Sequence, residues 1–114
     1  MTRILLSLAL AAASTAAAWA HAMLEHASPR AGARIAAPPS AIVLEFSEAL
    51  ERSFSWIVVR DMAGHEASGQ LHVEGHTMSL QLAPLPPGIY EVRWRALSVD
   101  THVTQGAYRF TIAP

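Results

Sequence analysis

The residues best suited to chemistry in this chain are its six histidines, His21, His26, His65, His72, His76 and His102, set among nine acidic residues and no cysteine. Without a thiol, cysteine chemistry and a disulfide framework are both excluded. What imidazoles and carboxylates do well together is hold a metal ion through nitrogen and oxygen. Two stretches invite that reading. One is "AAWAHAM", residues 17–23, where His21 follows a run of small residues; the other is "SVDTH", residues 98–102, where Asp100 and His102 stand two apart.

His21 matters because of what precedes it. Residues 1–20, "MTRILLSLALAAASTAAAWA", combine a positive charge at Arg3, an apolar run from Ile4 to Ala13, and small residues leading to Ala18-Trp19-Ala20. These are the three parts of a cleaved secretory signal, with an apolar run too short to span a bilayer comfortably. Both Ala18-x-Ala20 and Ala20-x-Ala22 satisfy the small-x-small rule, so the sequence permits a cut after Ala20 or after Ala22. Only the first makes His21 the leading residue, whose α-amine and imidazole Nδ1 can then close a six-membered chelate ring on one ion. A free α-amine has a pKa of about 7.7–8.0 and yields its proton to a metal at neutral pH at small cost. A second imidazole opposite would give three nitrogens in a T, an arrangement suited to Cu(II), which favours tetragonal N/O coordination and tops the divalent affinity order. His102 is the best candidate for that imidazole, with Asp100 adding an oxygen; in a locally extended loop, residues two apart point to one side.

The elements that must position these groups read as short strands. "AIVLEF" places Ile42, Leu44 and Phe46 on one face; "GIYEVRWRALS" places Tyr90, Val92, Trp94 and Ala96 inward and Glu91, Arg93 and Arg95 outward; "GAYRFTI" sets Tyr108, Phe110 and Ile112 against Arg109 and Thr111. Such period-two alternation marks half-buried antiparallel strands. Weaker strand patterns cover 23–27, 55–60, 70–73 and 78–82, separated by proline and glycine breakers such as Pro38-Pro39, Glu74-Gly75 and Pro84-Leu85-Pro86-Pro87-Gly88. About seven strands and no long helical period predict an all-β fold, a small antiparallel two-sheet sandwich. The "LPPGIY" approach to a strand also suggests a tyrosine corner at Tyr90.

Residues 21–114 number 94, enough for one domain with one modest core. Lysine is absent, and once Arg3 is removed seven arginines face nine acidic residues, a net charge of −2. The arginines form no basic stripe in the sequence, so a nucleic-acid partner is not expected. Nothing after the signal has the length of a membrane span.

The chain resembles the CopC-type periplasmic copper resistance proteins. The stretches that carry the likeness are "HAMLEHASPRAGA", "LEFSEAL", "LPPGIYEVRWRALSVDTH" and "GAYRFTI", which together cover nearly all of residues 21–114. The resemblance implies an immunoglobulin-like or cupredoxin-like sandwich that begins with His after export to the periplasm. It implies one Cu(II) per chain, held by His21 through both nitrogens, Asp100 and His102. Glu48, in the Phe46-Ser47-Glu48 match, is implied to stand near the metal as an occasional ligand or as a group bonded to one. Copper sequestration or carriage for resistance and homeostasis follows, with delivery to a CopD-type membrane copper transporter, and the chain is expected to be a monomer and not an enzyme. Two departures stand out. Val103 follows His102 where the family usually has proline, and the methionine-rich loop of some relatives is replaced by "RDMAGHEASG", with only Met62 and His65. One thioether and one imidazole make a poor Cu(I) site, so none is expected.

Each candidate has a plainer role. Asp100 could simply bond the backbone two residues on, and Glu48 could be a solvated residue past a strand. His26 is a further candidate ligand or supporting group, with a surface position as its alternative. His72, His76 and Met78 flank an exposed hairpin turn. Trp56, Trp94, Tyr90, Tyr108 and Phe110 read as core, and Arg93, Arg95 and Arg109 as a solvated sheet face pairing with Glu91 and Glu45. Two other functions compete: a small copper-dependent oxidative enzyme of the polysaccharide monooxygenase type, which also uses an N-terminal histidine, and an interaction module with incidental histidines.

Overall fold

The computed structural model describes residues 22–114. Eight strands run in the order β1 (Leu24–Ser28), β2 (Arg34–Ile35), β3 (Ala41–Phe46), β4 (Leu50–Asp61), β5 (Gly69–Glu74), β6 (Thr77–Leu82), β7 (Gly88–Ser98) and β8 (Val103–Ile112), and no helix occurs among the described residues. They form two four-stranded sheets, β1-β3-β6-β5 and β2-β8-β7-β4, hereafter sheets A and B. Every pairing is antiparallel except that of β2, whose two residues lie parallel to Thr111 and Ile112 of β8. The expected sandwich is therefore present, with one short strand more than the sequence pattern announces.

Alternation does what it promised. Ile42, Leu44, Phe46, Val92, Ala96, Phe110 and Ile112 are essentially buried, and Tyr90 and Trp94 nearly so. The two sheets meet through Phe46 and Trp94, whose rings pack edge to face at 5.1 Å, a favoured aromatic geometry. Within sheet B, Tyr90 and Phe110, directly opposed across β7 and β8, stack at 5.6 Å. The tyrosine corner is formed as well, the Tyr90 hydroxyl donating to the Pro86 carbonyl at 2.6 Å. Gly75 and His76 close the β5–β6 hairpin in two residues, with Gly75 at φ 59, the conformation that a type II′ turn asks of its first central residue.

Trp56 corrects a sequence expectation. It lies 39% exposed on the outer face of sheet B, opposite Arg95, while Ser55, Ile57 and Val59 point inward. Buried Ser55 is accommodated because its hydroxyl donates to the Glu51 carbonyl at 2.6 Å and accepts from Leu97 N at 3.0 Å. That bridge spans a bulge in β4 between Glu51 and Trp56. A second bulge, in β1, leaves Glu25 without a counterpart and turns His26 outward, opposite Glu45 on sheet A. Glu45 is thus on the sheet away from Arg93, Arg95 and Arg109; the ion pair on that side is Arg93 Nε with Glu91 Oε1, at 2.6 Å.

Candidate metal centre

Three segments converge at one end of the sandwich, and backbone hydrogen bonds fix their order. The start of β1 is tied to the β3–β4 turn, since Met23 N donates to Ser47 Oγ at 2.8 Å and Ser47 N to the Met23 carbonyl at 2.9 Å. That turn is tied in its other half to the β7–β8 loop, Val99 N donating to the Ala49 carbonyl at 3.0 Å. The hairpin turn of β5–β6 braces it from beneath through Phe46 N to the His76 carbonyl and Leu50 N to the Gly75 carbonyl. Ala22 is fully buried, and its carbonyl accepts a hydrogen bond from Thr104 Oγ1 at 2.7 Å. The chain therefore enters the described structure beside the first residues of β8, two positions from His102.

The loop itself is built on Ser98. Its inward side chain, at the end of β7, is fully buried, and its hydroxyl donates to Asp100 Oδ1 and accepts from His102 N, the latter at 3.2 Å. Ser98 N to the His102 carbonyl at 2.9 Å and Thr101 N to the Ser98 carbonyl at 2.9 Å close the turn. Thr101 sits at φ 72, so the loop is tight and not extended. Asp100 and His102 meet all the same, Asp100 Oδ2 standing 3.3 Å from His102 Nδ1. Their side chains remain 39% and 30% exposed, respectively, although the Nδ1 of His102 is itself buried.

Electrostatics favour a ligand-ready carboxylate. The hydrogen bond from Ser98 holds the Asp100 carboxyl below its ordinary value, against a smaller opposing effect of burial and with further help from His102. Donors held about 2.0–2.2 Å from one ion at right angles stand roughly 3 Å apart, close to the separation of Asp100 Oδ2 and His102 Nδ1. Here the two groups meet each other as an ion pair, the carboxylate orienting the imidazole, and by chemistry both suit a cation with nitrogen and oxygen preferences. Among the described residues no third acidic or imidazole side chain joins them to make a complete metal-holding group.

The remaining expected residues fall as follows. His21 lies outside the described residues, as does the expected signal, residues 1–20. Glu48 is half-buried in the β3–β4 turn, the turn that links Met23 to Val99. His26 faces out from sheet A while Ala22 points in, so the fold sets it apart from Asp100 and His102. His65 bonds Asp61 instead, Asp61 accepting from Ala63 N and His65 N at 2.9 Å each, with Met62 exposed beside it. His72 stands 3.6 Å from Glu74 on an exposed strand, and His76 is exposed in its turn. Sequence reasoning missed the supporting roles of Thr104, Ser47 and Ser98. A polar residue at an inward parity position was the signal for Ser98 and Thr104.

With the geometry established, comparison with known proteins places the chain. A family model described as the CopC domain matches residues 24–113. The crystal structure of CopC from Methylosinus trichosporium OB3b superposes with a TM-score of 0.78 at 32% identity, covering 82% of this chain and 95% of that one. PcoC, a methionine-rich copper resistance protein from Escherichia coli, gives 0.71 at 36% identity, with coverage of 82% and 99%. Copper resistance protein C of Pseudomonas syringae pv. tomato is 39% identical over 108 residues, 86% of this chain and 85% of its own length. PcoC and copper resistance protein C are named for copper resistance, and neither name is that of an oxidative enzyme. The match runs through the whole sandwich and includes the loop that joins Asp100 to His102, and the chain belongs to the CopC family of copper resistance proteins.

Proposed function

We propose that the protein is an exported, periplasmic carrier of one Cu(II) ion per chain, held by His21 through its amine and imidazole, by Asp100 and by His102. The observation that supports this most is the pair Asp100 Oδ2 and His102 Nδ1, 3.3 Å apart on a loop that buried Ser98 locks. The bonded position of Ala22 beside Thr104 supports His21 as their partner, because His21 is one peptide bond further back. This reading requires export and a cut after Ala20, since the alternative cut removes His21. Glu48 serves as an occasional ligand or as a group that bonds one, through the turn it shares with Ser47. His26 has no part in the centre.

The role follows from the donors. An all nitrogen and oxygen set grips Cu(II) and loosens on reduction to Cu(I), which offers a release route toward a membrane copper transporter of the CopD type. PcoC is described as methionine-rich; this chain has at the comparable loop only Met62 beside His65, so Cu(I) has no strong second home here.

The test is metal titration of the purified chain whose first residue is verified by intact mass as His21. One equivalent of Cu(II) should bind, with the paramagnetic resonance signal of nitrogen-rich tetragonal copper, and a monomer in sedimentation. Absence of stoichiometric copper from that preparation would sink the carrier reading. Acid should release the ion between pH 7 and pH 5, because the nitrogen donors must shed protons to bind while Asp100, already below its ordinary value, stays ionised throughout. An affinity that stays flat across this window in chelator competition would point to other ligands.

A further inference from the structure

The first residues of β1 are held differently on their two flanks. Toward sheet A they continue its ladder, Met23 exchanging two hydrogen bonds with Ser47 and Leu24 pairing with Phe46. Toward sheet B no ladder exists, since β1 and β8 belong to different sheets. A hollow of about 350 Å³ opens between them instead, with Leu24, Trp94 and Gln105 in its wall. Thr104 and Ala22 line it too, and the bond from Thr104 Oγ1 to the Ala22 carbonyl joins residues 82 apart in the chain. Burial of the Ala22 methyl sets how deeply this arm sits, but an apolar contact has no direction, whereas a hydrogen bond does. The orientation of the Ala22 peptide group is therefore set by Thr104.

Thr104 makes a firm anchor. Its backbone pairs with fully buried Ala96 of β7, and its branched Cβ leaves the hydroxyl few rotamers. It shares an inward parity with His102, two residues earlier, with exposed Val103 between them. His102 itself is held through its amide by buried Ser98. The strand that follows the imidazole thus also grips the peptide group one residue from His21, and the two halves of the candidate centre share one frame.

We propose that Thr104 is a positioning residue of the candidate copper centre and sets its preference for Cu(II) over Zn(II). The inference rests on the carrier reading, in which His21 is a ligand. Cu(II) favours tetragonal donors, whereas Zn(II) has no preference from its d electrons and settles in four-coordinate tetrahedral sites. An arm tied to β8 offers its nitrogens from one fixed direction, so Cu(II) binds without the cost of ordering them. A loose arm adds that cost to Cu(II) and leaves the same donors free to close around Zn(II) in another arrangement. Losing the bond should weaken Cu(II) more than Zn(II).

The experiment compares the full exported chain, its first residue verified as His21, with Thr104→Val, Thr104→Ala and Thr104→Ser. Valine keeps the shape and strand preference of threonine without the hydroxyl, and alanine removes the hydroxyl with no methyl in its place. In the metal-free chains, nuclear relaxation of the Ala22 and Met23 amides should show greater picosecond to nanosecond motion in Thr104→Val and Thr104→Ala than in the parent. Competition with a chelator for Cu(II) and Zn(II) salts should show Cu(II) affinity lowered roughly tenfold in both, and Zn(II) affinity lowered roughly threefold or less. Thr104→Ser should restore most of both effects. A threonine that merely stitched the sheets would lower the melting temperature alone, with the amides still ordered and both metals weakened equally or not at all. That pattern, or a Ser variant no better than Ala, with one Cu(II) still bound by the parent, would overturn the proposal and leave the carrier reading intact. Absence of stoichiometric Cu(II) from the parent would overturn both.

Discussion

Ser98 ends β7 with its side chain inward and without exposure, so its hydroxyl must find partners inside the protein. It finds them in Asp100 and in the amide of His102, and one small polar residue thereby sets the separation of two candidate donors. Ser98→Ala removes that hub. A loss of about 1–2 kcal/mol in chemical denaturation is expected at neutral pH. Copper affinity should fall roughly 10–100-fold, the usual effect of removing a group that orients a ligand. The pH dependence gives a sharper signature. Because Asp100 titrates lower in the folded chain than its ordinary 3.8, its contribution is complete above that value and is lost as pH falls through the folded one. In Ser98→Ala the main cause of the lowering is gone, so the acid limb of the stability curve should flatten. An unchanged acid limb would mean that Ser98 does not govern Asp100.

At the scale of elements, strands β3, β7 and β8 were legible because each alternates apolar and polar residues without ambiguity. β4 was legible as a strand only over 55–60, and its inward face was not, because "WIVV" is apolar at both parities and Ser55 takes an inward place that only its bonds to Glu51 and Leu97 make acceptable. β2 was invisible: two residues hold no period. The meeting of Asp100 with His102 was legible from their spacing, yet the tight turn at Thr101 that joins them was not; the outward arginines of β7 and β8 were legible as a solvated face. Close packing inside sheet B yields its own test. Gly106 lies opposite Trp94, and a Cβ at that position would stand 2.7 Å from the indole Cζ2 and 3.0 Å from its Nε1. The indole is held in turn against Phe46 and cannot swing away freely. Gly106→Ala should therefore cost about 1–3 kcal/mol by overpacking, with a changed near-ultraviolet dichroism of tryptophan. A variant as stable as the parent, with the same spectrum, would show that the contact between β8 and the core is looser than described.

At the scale of the molecule, the candidate centre lies where the two sheets are joined at their open end. β1 belongs to sheet A and β8 to sheet B, and the hydrogen bond from Thr104 to Ala22 spans them. An ion shared by His21, Asp100 and His102 would add a second bridge at the same place, in a chain that has no disulfide to do so. Binding to the folded state alone stabilises by about 2.7 kcal/mol when free metal is at 100 times its dissociation constant. For a domain of this size each kcal/mol raises the melting temperature by roughly 4–8 °C, so Cu(II) should lift it by roughly 10–20 °C. A chain acetylated on the amine of His21 provides the decisive comparison. It keeps every side chain and both sheets but converts the amine of His21 into an amide, so the chelate loses a nitrogen that can bind at neutral pH without stripping a peptide proton. The copper-dependent rise should shrink by half or more in calorimetry at matched metal concentration, while the metal-free melting temperature stays the same. If both chains gained equally, the amine would not be a ligand, and the position of the signal cut would lose the chemical meaning that the carrier reading gives it.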